Sequence, residues 1–391
     1  SSLYSGMTNT IKDVLGLTIV VLSYEFLLAK LAIFHWEFSN PLVYIIAFLA
    51  MDFGGYWYHR LSHEINYFWN IHIVHHSSEE YNLPCALRQQ FATVTNVLFI
   101  FCQGILLSLA GVPKEVFIIV APIHLFMQFW YHTRLINKMG FLEKILVTPS
   151  HHRVHHSMNA IYMDKNYSQI FIIWDKLFGT FQPELKDVPP VYGVTRAVKT
   201  WNPWIINYQH IWLLIKDAWR TNSLWDKIRI WFMPTGWRPA DMLEKYPVPY
   251  TNDIYHRPKY DVKASPFFKV WSSLQLVITL LLMMYLFNNI GDISPAYILY
   301  YGIFLFISVF AYTSLMDGSM QAIFAEMIKL GLGVYLLVSY GNSWFGLEKV
   351  LSFGNTLIIA YLILSIVLTI YFYLADRPVE EDVRDDMLVI G

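Results

Sequence analysis

Eight apolar runs, near 14–34, 40–58, 91–111, 115–133, 267–287, 296–314, 321–341 and 355–375, approach the roughly twenty residues that cross a bilayer. Inside hydrocarbon every backbone N–H and C=O must be satisfied within its own segment, so such runs fold as helices. Only 15% of residues are charged and mean hydropathy is +0.39, well away from a soluble domain. The expected fold is all-α, a polytopic membrane helical bundle. Its expected parts are N-terminal transmembrane helices over 1–58, a histidine-rich core with two further transmembrane helices over 59–185, and an amphipathic cytosolic or interfacial segment over 186–265. C-terminal transmembrane helices over 266–376 and a polar, solvated tail over 377–391 complete it. The net charge of −1 offers no nucleic acid a partner. Cys85 and Cys102 are too few for a disulfide framework and form no C-x-x-C pair. The chain opens on Ser-Ser-Leu-Tyr with no recognisable signal peptide, and residues are expected to be missing at its start.

Histidines gather in the segments between these runs. Five of the fourteen fall in His59–His76, spaced H-x3-H (His59, His63) and H-x2-H-H (His72, His75, His76). Residues three or four apart share a helix face, so each set can point at one centre from its own helix. Imidazole is the commonest neutral metal ligand, and a lone packed histidine is a poor description of five at these spacings. His152, His155 and His156 repeat H-x2-H-H in the second block. His151 beside them points elsewhere and is the weaker candidate. His124, Gln128 and His132 fall at i, i+4 and i+8 along the fourth run, with His132 at its end.

Crossings can be counted. Two runs separate the first histidine block from His132 and the second block, so the chain returns to the same membrane face and all the motifs can meet. Lys and Arg outside the runs gather on that face, which makes it cytosolic by the positive-inside rule. The expectation is a cytosolic, helical His-rich cap holding a di-metal site.

Nine candidate ligands result: His59, His63, His72, His75, His76, His132, His152, His155 and His156. One metal takes four to six, so nine imply two metals. Gln128, His124 and His151 are possible additional ligands or supports. Imidazole suits iron, zinc, copper and nickel alike, so the ligand type leaves the metal open. A carboxylate-bridged pattern of Glu and Glu-x-x-His is absent. Two redox metals at the mouth of a membrane bundle suit oxygen activation on a lipid. Asp52, an acid within the second run and a functional candidate for that reason, joins Glu64, Glu79, Asn82, Arg88, Asp164 and Asn166 as residues expected to orient the imidazoles. Trp57, Trp69, Phe129 and Trp130 are candidates to wall a lipid channel. Glu326 and Lys329 in the seventh run are expected to pair structurally. A transition-metal transporter is the alternative from another class, opposed by the clustering of histidines at one end of the spans.

The phrases HRLSHE, HIVHHSSEEYNLPCALRQ, QFWYHT, TPSHHRVHH and DKNYSQIFIIWDKLFGTF resemble the fatty acid hydroxylase/sterol desaturase superfamily of integral membrane di-iron enzymes. The likeness is nearer to its ether-lipid-cleaving members, extending into VYGVT (191–195) and TGWRP (235–239). This resemblance implies two iron ions, O2 as oxidant and a lipid substrate held in the membrane. For the ether-lipid members it further implies tetrahydrobiopterin as electron donor, a redox protein being the other option. Hydroxylation next to the ether oxygen would give a hemiacetal that collapses to a fatty aldehyde and a glycerol derivative. A sterol or fatty-acyl hydroxylase or desaturase is the alternative within the superfamily. The membrane would be the endoplasmic reticulum in a eukaryote and the inner, cytoplasmic membrane in a bacterium. The chain departs from the ether-lipid pattern at Ser157-Met158-Asn159, where Gly-Arg-Asn is expected, and at Ser168-Gln169, which follow Asn166-Tyr167.

Overall fold

The structure, a computed structural model, describes residues 2–91, 96–251, 253–380 and 388–390, with the side chains of 14–22, 96–97, 380 and 388–390 excepted. Helices dominate the described residues, and strands are confined to two short pairs. Helix α1 covers Ser2–Leu31. Helix α2, Pro41–Glu64, starts where Pro41 supplies a helical φ and the Asn40 side chain accepts from Leu42 N at 3.0 Å. It runs past the expected end of the second span and carries His59 and His63 on its last turns. Gly54 and Gly55 let neighbours close on it: a Cβ at 54 would meet the Cys102 carbonyl, and one at 55 the Gln169 side chain.

Ile65 alone breaks the helix, in an extended conformation at φ −115° and ψ 125°, and α3 follows at once over Asn66–His76. This sharp bend turns the two histidine sets toward each other. The segment 230–237 clamps it from outside. Asn66 N and Tyr67 N donate to the carbonyls of Met233 and Trp231, each at 3.0 Å. The Asn66 amide donates to Ile230 O and Trp237 O and accepts from Gly236 N.

Among the described residues of the third run, helix covers 96–109 in the first pass, with a π-helical turn at Ile100–Gly104, and 92–95 lie outside the described residues. The fourth span is shorter than its apolar run. In the second pass α4, Lys114–Phe126, has 13 residues, or ~20 Å at 1.5 Å per residue, against ~30 Å of hydrocarbon. The i, i+4, i+8 stripe through His132 is not continuous either. After Phe126 the amides of Gln128 and Phe129 turn to carbonyls three residues back, so His132 leaves the helix axis. The return of the chain nevertheless holds. One end of the hairpin meets Trp36 and Tyr24 through Ala110 O and Val112 O, and the other receives the Tyr81 hydroxyl on Tyr131 O at 3.0 Å.

Helix α5 is Pro149–His155, and α6, Pro203–Arg220, is capped by Asn202 on Trp204 N. Four helices long and apolar enough to cross a membrane follow: α7 Pro266–Asn288, α8 Pro295–Met316, α9 Gln321–Ser339 and α10 Gly354–Ala375. The protein is thus an integral membrane, all-helical bundle. The α7–α10 core includes Leu282, Phe304, Tyr312 and Trp344 and takes in Tyr4, Met7 and Ile11 of α1. Glu326 and Lys329 pair inside it as expected, at 2.7 Å and fully buried, with Ser365 Oγ also on the ammonium. At the start of the polar tail, Val379 and Glu380 pair with Lys263 and Val262. Residues 381–387 of that tail lie outside the described residues.

Candidate metal centre

The nine candidate imidazoles converge in two groups. His59, His63, His72, His76 and His155 form one, and His75, His132, His152 and His156 the other, with one ring nitrogen from each lying within 4.8 Å of the rest of its group. Neither group is built from one motif. Helix α2 and α3 supply the first with help from α5, while the second takes His75 from α3, His132 from the turn after α4, and two residues from the end of α5. The groups abut: His76 stacks on His156 with ring centroids 4.4 Å apart. All but His72 are buried.

Backbone carbonyls fix the tautomers. His59 Nδ1 meets Tyr167 O at 2.6 Å, His75 Nδ1 meets Arg88 O at 3.2 Å, His132 Nδ1 meets Gln128 O at 3.0 Å and His155 Nδ1 meets Lys165 O at 3.0 Å. A carbonyl only accepts, so each of these Nδ1 atoms carries the proton. In the neutral ring Nε2 then presents a lone pair. Burial pushes His75 well below its ordinary pKa and His132 to about 4, so both rings are neutral. Yet His132 Nε2 and His75 Nε2 face each other at 3.3 Å. Two lone pairs at that distance repel unless a cation lies between the ligands. His63 Nε2, also buried, has no hydrogen-bond partner. The donor set therefore fits metal ions, and a second shell of carbonyls holds it in the way metal-bound histidines are usually oriented.

The loop 164–175 delivers two of those carbonyls. Asp164 and Asn166 adopt left-handed backbone, at φ 58° and 57°, so that Lys165 O and Tyr167 O both turn to imidazoles. The Asn166 side chain locks this shape by donating to His151 O and Gln182 O and accepting from Gln182 N. Asp175 caps the next turn, accepting from Tyr167 N, Ser168 N and Thr180 Oγ1. Asp52 lies one layer out: its carboxylate accepts from Ile170 N, Phe171 N, Trp174 Nε1 and His124 Nε2.

Several expected helpers sit elsewhere. His124 is occupied by Asp52 and by Gln128, whose amide nitrogen lies 3.2 Å from His124 Nδ1, and neither belongs to the two groups. Gln128 contributes its carbonyl instead. His151 packs on Phe181 and caps α5 through Thr148. Glu64 pairs with Arg60 at 2.9 Å, not with an imidazole. Glu79 pairs with Arg257 and accepts from Tyr260 N, tying down the 250s loop. Asn82 stands before the short turn Leu83–Ala86 and accepts from Cys85 Sγ at 3.5 Å. Asp164 approaches His63 Nδ1 at 3.6 Å. Arg88 is buried, with its guanidinium on Val74 O and Ser77 Oγ, so it braces the end of α3 as well as lending its carbonyl. Trp69 packs on His63 and His76, and Trp57 on Phe178. The roles of Asp175, Tyr167 and Tyr81 (which stacks over His132) had no spacing signal. Asp175 lies in a motif phrase, but its capping of a distant turn does not show in one sequence.

The fatty acid hydroxylase family model matches residues 44–180, the span that carries both groups. Alkylglycerol monooxygenase of Homo sapiens is 32% identical over 348 residues, covering 88% of this chain and 75% of its own. The alkylglycerol monooxygenase of Xenopus tropicalis is 32% identical over 86% of this chain and 74% of its own. An ornithine lipid hydroxylase of Rhizobium tropici is 31% identical over 42% of this chain and 49% of its own. No solved structure matches. The chain therefore belongs to the fatty acid hydroxylase family and, within it, to the alkylglycerol monooxygenase family.

Proposed function

We propose that this protein is a membrane di-iron lipid monooxygenase that cleaves an ether lipid, hydroxylating the alkyl carbon next to the ether oxygen with O2 and releasing a fatty aldehyde and a glycerol derivative. The observation that carries the reading is the pair of abutting imidazole groups with lone pairs facing inward. His59, His63, His72, His76 and His155 would hold one metal, and His75, His132, His152 and His156 the other. Iron is favoured by family membership, since imidazole alone does not discriminate. When bound, two such ions supply the activation of O2 that the reaction needs. The chain's own residues hold the ligands neutral and inward-facing, through the carbonyls of Arg88, Gln128, Lys165 and Tyr167, and keep them in a largely water-excluded setting. A tetrahydropterin is proposed as electron donor, supported by likeness to the ether-lipid enzymes. The histidine end is proposed to face the cytosol, on the distribution of Lys and Arg, in the endoplasmic reticulum or a bacterial inner membrane. Incubating the purified iron-loaded protein with 1-O-hexadecylglycerol, O2 and tetrahydropterin should yield hexadecanal. A hydroxylated or desaturated sterol or acyl lipid in place of aldehyde would move the assignment to the alternative branch, to which the match with a sterol desaturase of Gibberella zeae also points.

A further inference from the structure

Behind α6 lies a cavity of about 210 Å³ that opens onto His63, His76 and His155 of the first group. Ile73, Met158, Leu213 and Leu214 give it apolar lining, and Arg196 and Arg238 line it too. Arg238 spends Nε and Nη2 on the buried carboxylate of Asp217, at 2.6 and 3.0 Å. Its Nη1 is buried and has no acceptor. Arg196 is half-buried, and among the described residues no hydrogen bond or ion pair reaches it. Burial lowers its pKa, and the nearby charge of Arg238 lowers it further, against the pull of Tyr250 and Asp217. Asp217 answers Arg238, and among the described residues no carboxylate lies in ion-pair contact with Arg196. Asp164, the one acid among the lining residues, lies at the His63 end.

A buried guanidinium N–H without an acceptor, next to a second guanidinium with no ion-pair partner, is the donor set that oxyanions satisfy. The fork of arginine matches phosphate in particular. The outer face of α6 suggests where such an anion comes from. Trp212 and Trp219 are 58% and 85% exposed, with Ile205, Tyr208 and Ile215 beside them. Aromatic and aliphatic side chains on one face of an amphipathic helix, over polar partners on the other, mark a helix lying at the headgroup level. The inner face of the same helix, through His210, Leu213 and Leu214, lines the cavity that reaches the imidazoles.

We propose that this cavity binds the phosphoryl group of an anionic ether-lipid headgroup, with Arg196 and the free Nη1 of Arg238 as its donors and the alkyl chain directed to His63 and His155. The proposal rests on the ether-lipid reading above and narrows its substrate to a phosphorylated lipid. The shared chemistry is a phosphoryl group, which free phosphate also carries.

The test uses the full-length protein in detergent micelles and measures equilibrium binding of 1-O-hexadecylglycerol 3-phosphate, 1-O-hexadecylglycerol and inorganic phosphate by thermal shift. The wild type should bind the phosphorylated lipid at least about tenfold more tightly than the neutral one, one power of ten in dissociation constant. Arg196→Gln should reduce that ratio to near one, and Arg196→Lys should restore part of it. Stabilisation by inorganic phosphate with no preference between the lipids would assign the site to free phosphate and overturn the headgroup assignment. Equal affinity for both lipids without any phosphate effect, or a preference that survives Arg196→Gln in folded protein, overturns the site itself. The comparison of lipids on the wild type stands even where a variant fails to fold. Aldehyde release is followed in parallel: a phosphate preference without aldehyde from either lipid would remove the oxygenase reading and leave the binding site intact.

Discussion

A histidine that stacks lone pair against lone pair at 3.3 Å is a strong statement about what its site must contain. His75 and His132 make it together because each Nδ1 is committed to a carbonyl. Replacing His72 or His75 by Ala should lower bound metal from two ions toward one per chain, by elemental analysis, and cut turnover at least about 100-fold, since even outer partners of metal ligands are worth 10–100-fold. The pH response follows from burial. His132 is held at about 4 in the folded protein against 6.5 ordinarily, so between those values the unfolded chain binds protons that the folded chain does not. Stability and metal content should be full above about pH 6.5 and fall as pH drops toward 4, read by thermal unfolding and metal analysis on the same samples. At this scale the sequence was most legible: spacing selected eight of the nine imidazoles that converge, and its place at the end of an apolar run selected His132. It did not reveal what orients them, because a carbonyl donated by Lys165 or Gln128 is common to every residue type. Acids such as Glu64 and Glu79 looked like partners for imidazole because of their position in the motifs, yet each had a nearer cation, Arg60 and Arg257.

The bend between α2 and α3 and the loop 164–175 position the site at the scale of elements. Asn66→Ala should cost about 3 kcal/mol or more, because three backbone groups, Ile230 O, Trp237 O and Gly236 N, lose their partner and each such loss is worth ~1–3 kcal/mol. A lowered unfolding temperature together with weakened metal binding is the expected reading. Weakened stability with unchanged metal affinity would show that the clamp does not set the histidine geometry. Asn166→Ala should weaken metal binding about 10–100-fold, since it removes the lock on a left-handed turn that aims two carbonyls; a metal titration of the apoprotein measures this. Helix α2 was readable from its apolar run. Its abrupt end at Ile65 was not, because the residues that enforce it are at 230–237, far along the chain. The shortened fourth span likewise follows from turn geometry after Phe126 that hydropathy does not register.

Across the whole molecule, α1 joins two bodies of different chemistry, the histidine core and the α7–α10 bundle. Lys329→Met, which leaves Glu326 buried without its cation, should destabilise the protein by ~3–5 kcal/mol, whereas changing both residues to apolar ones of similar size should cost much less. Unfolding in detergent, compared for the single and double variants, separates these outcomes. The existence and order of the C-terminal spans were evident from composition, while their packing on Tyr4, Met7 and Ile11 was not, since contacts between helices leave no periodic trace in either one alone. The clamp on the α2–α3 bend also has a consequence in time. Asn66 and the carbonyl of Ile230 are 164 residues apart, which at ~5–20 residues per second of synthesis is about 8–30 s. For most of that interval the five histidines of the first block, His59 to His76, exist in the nascent chain without the segment that sets their bend, and the ions proposed for them have no finished seat until translation has passed Trp237.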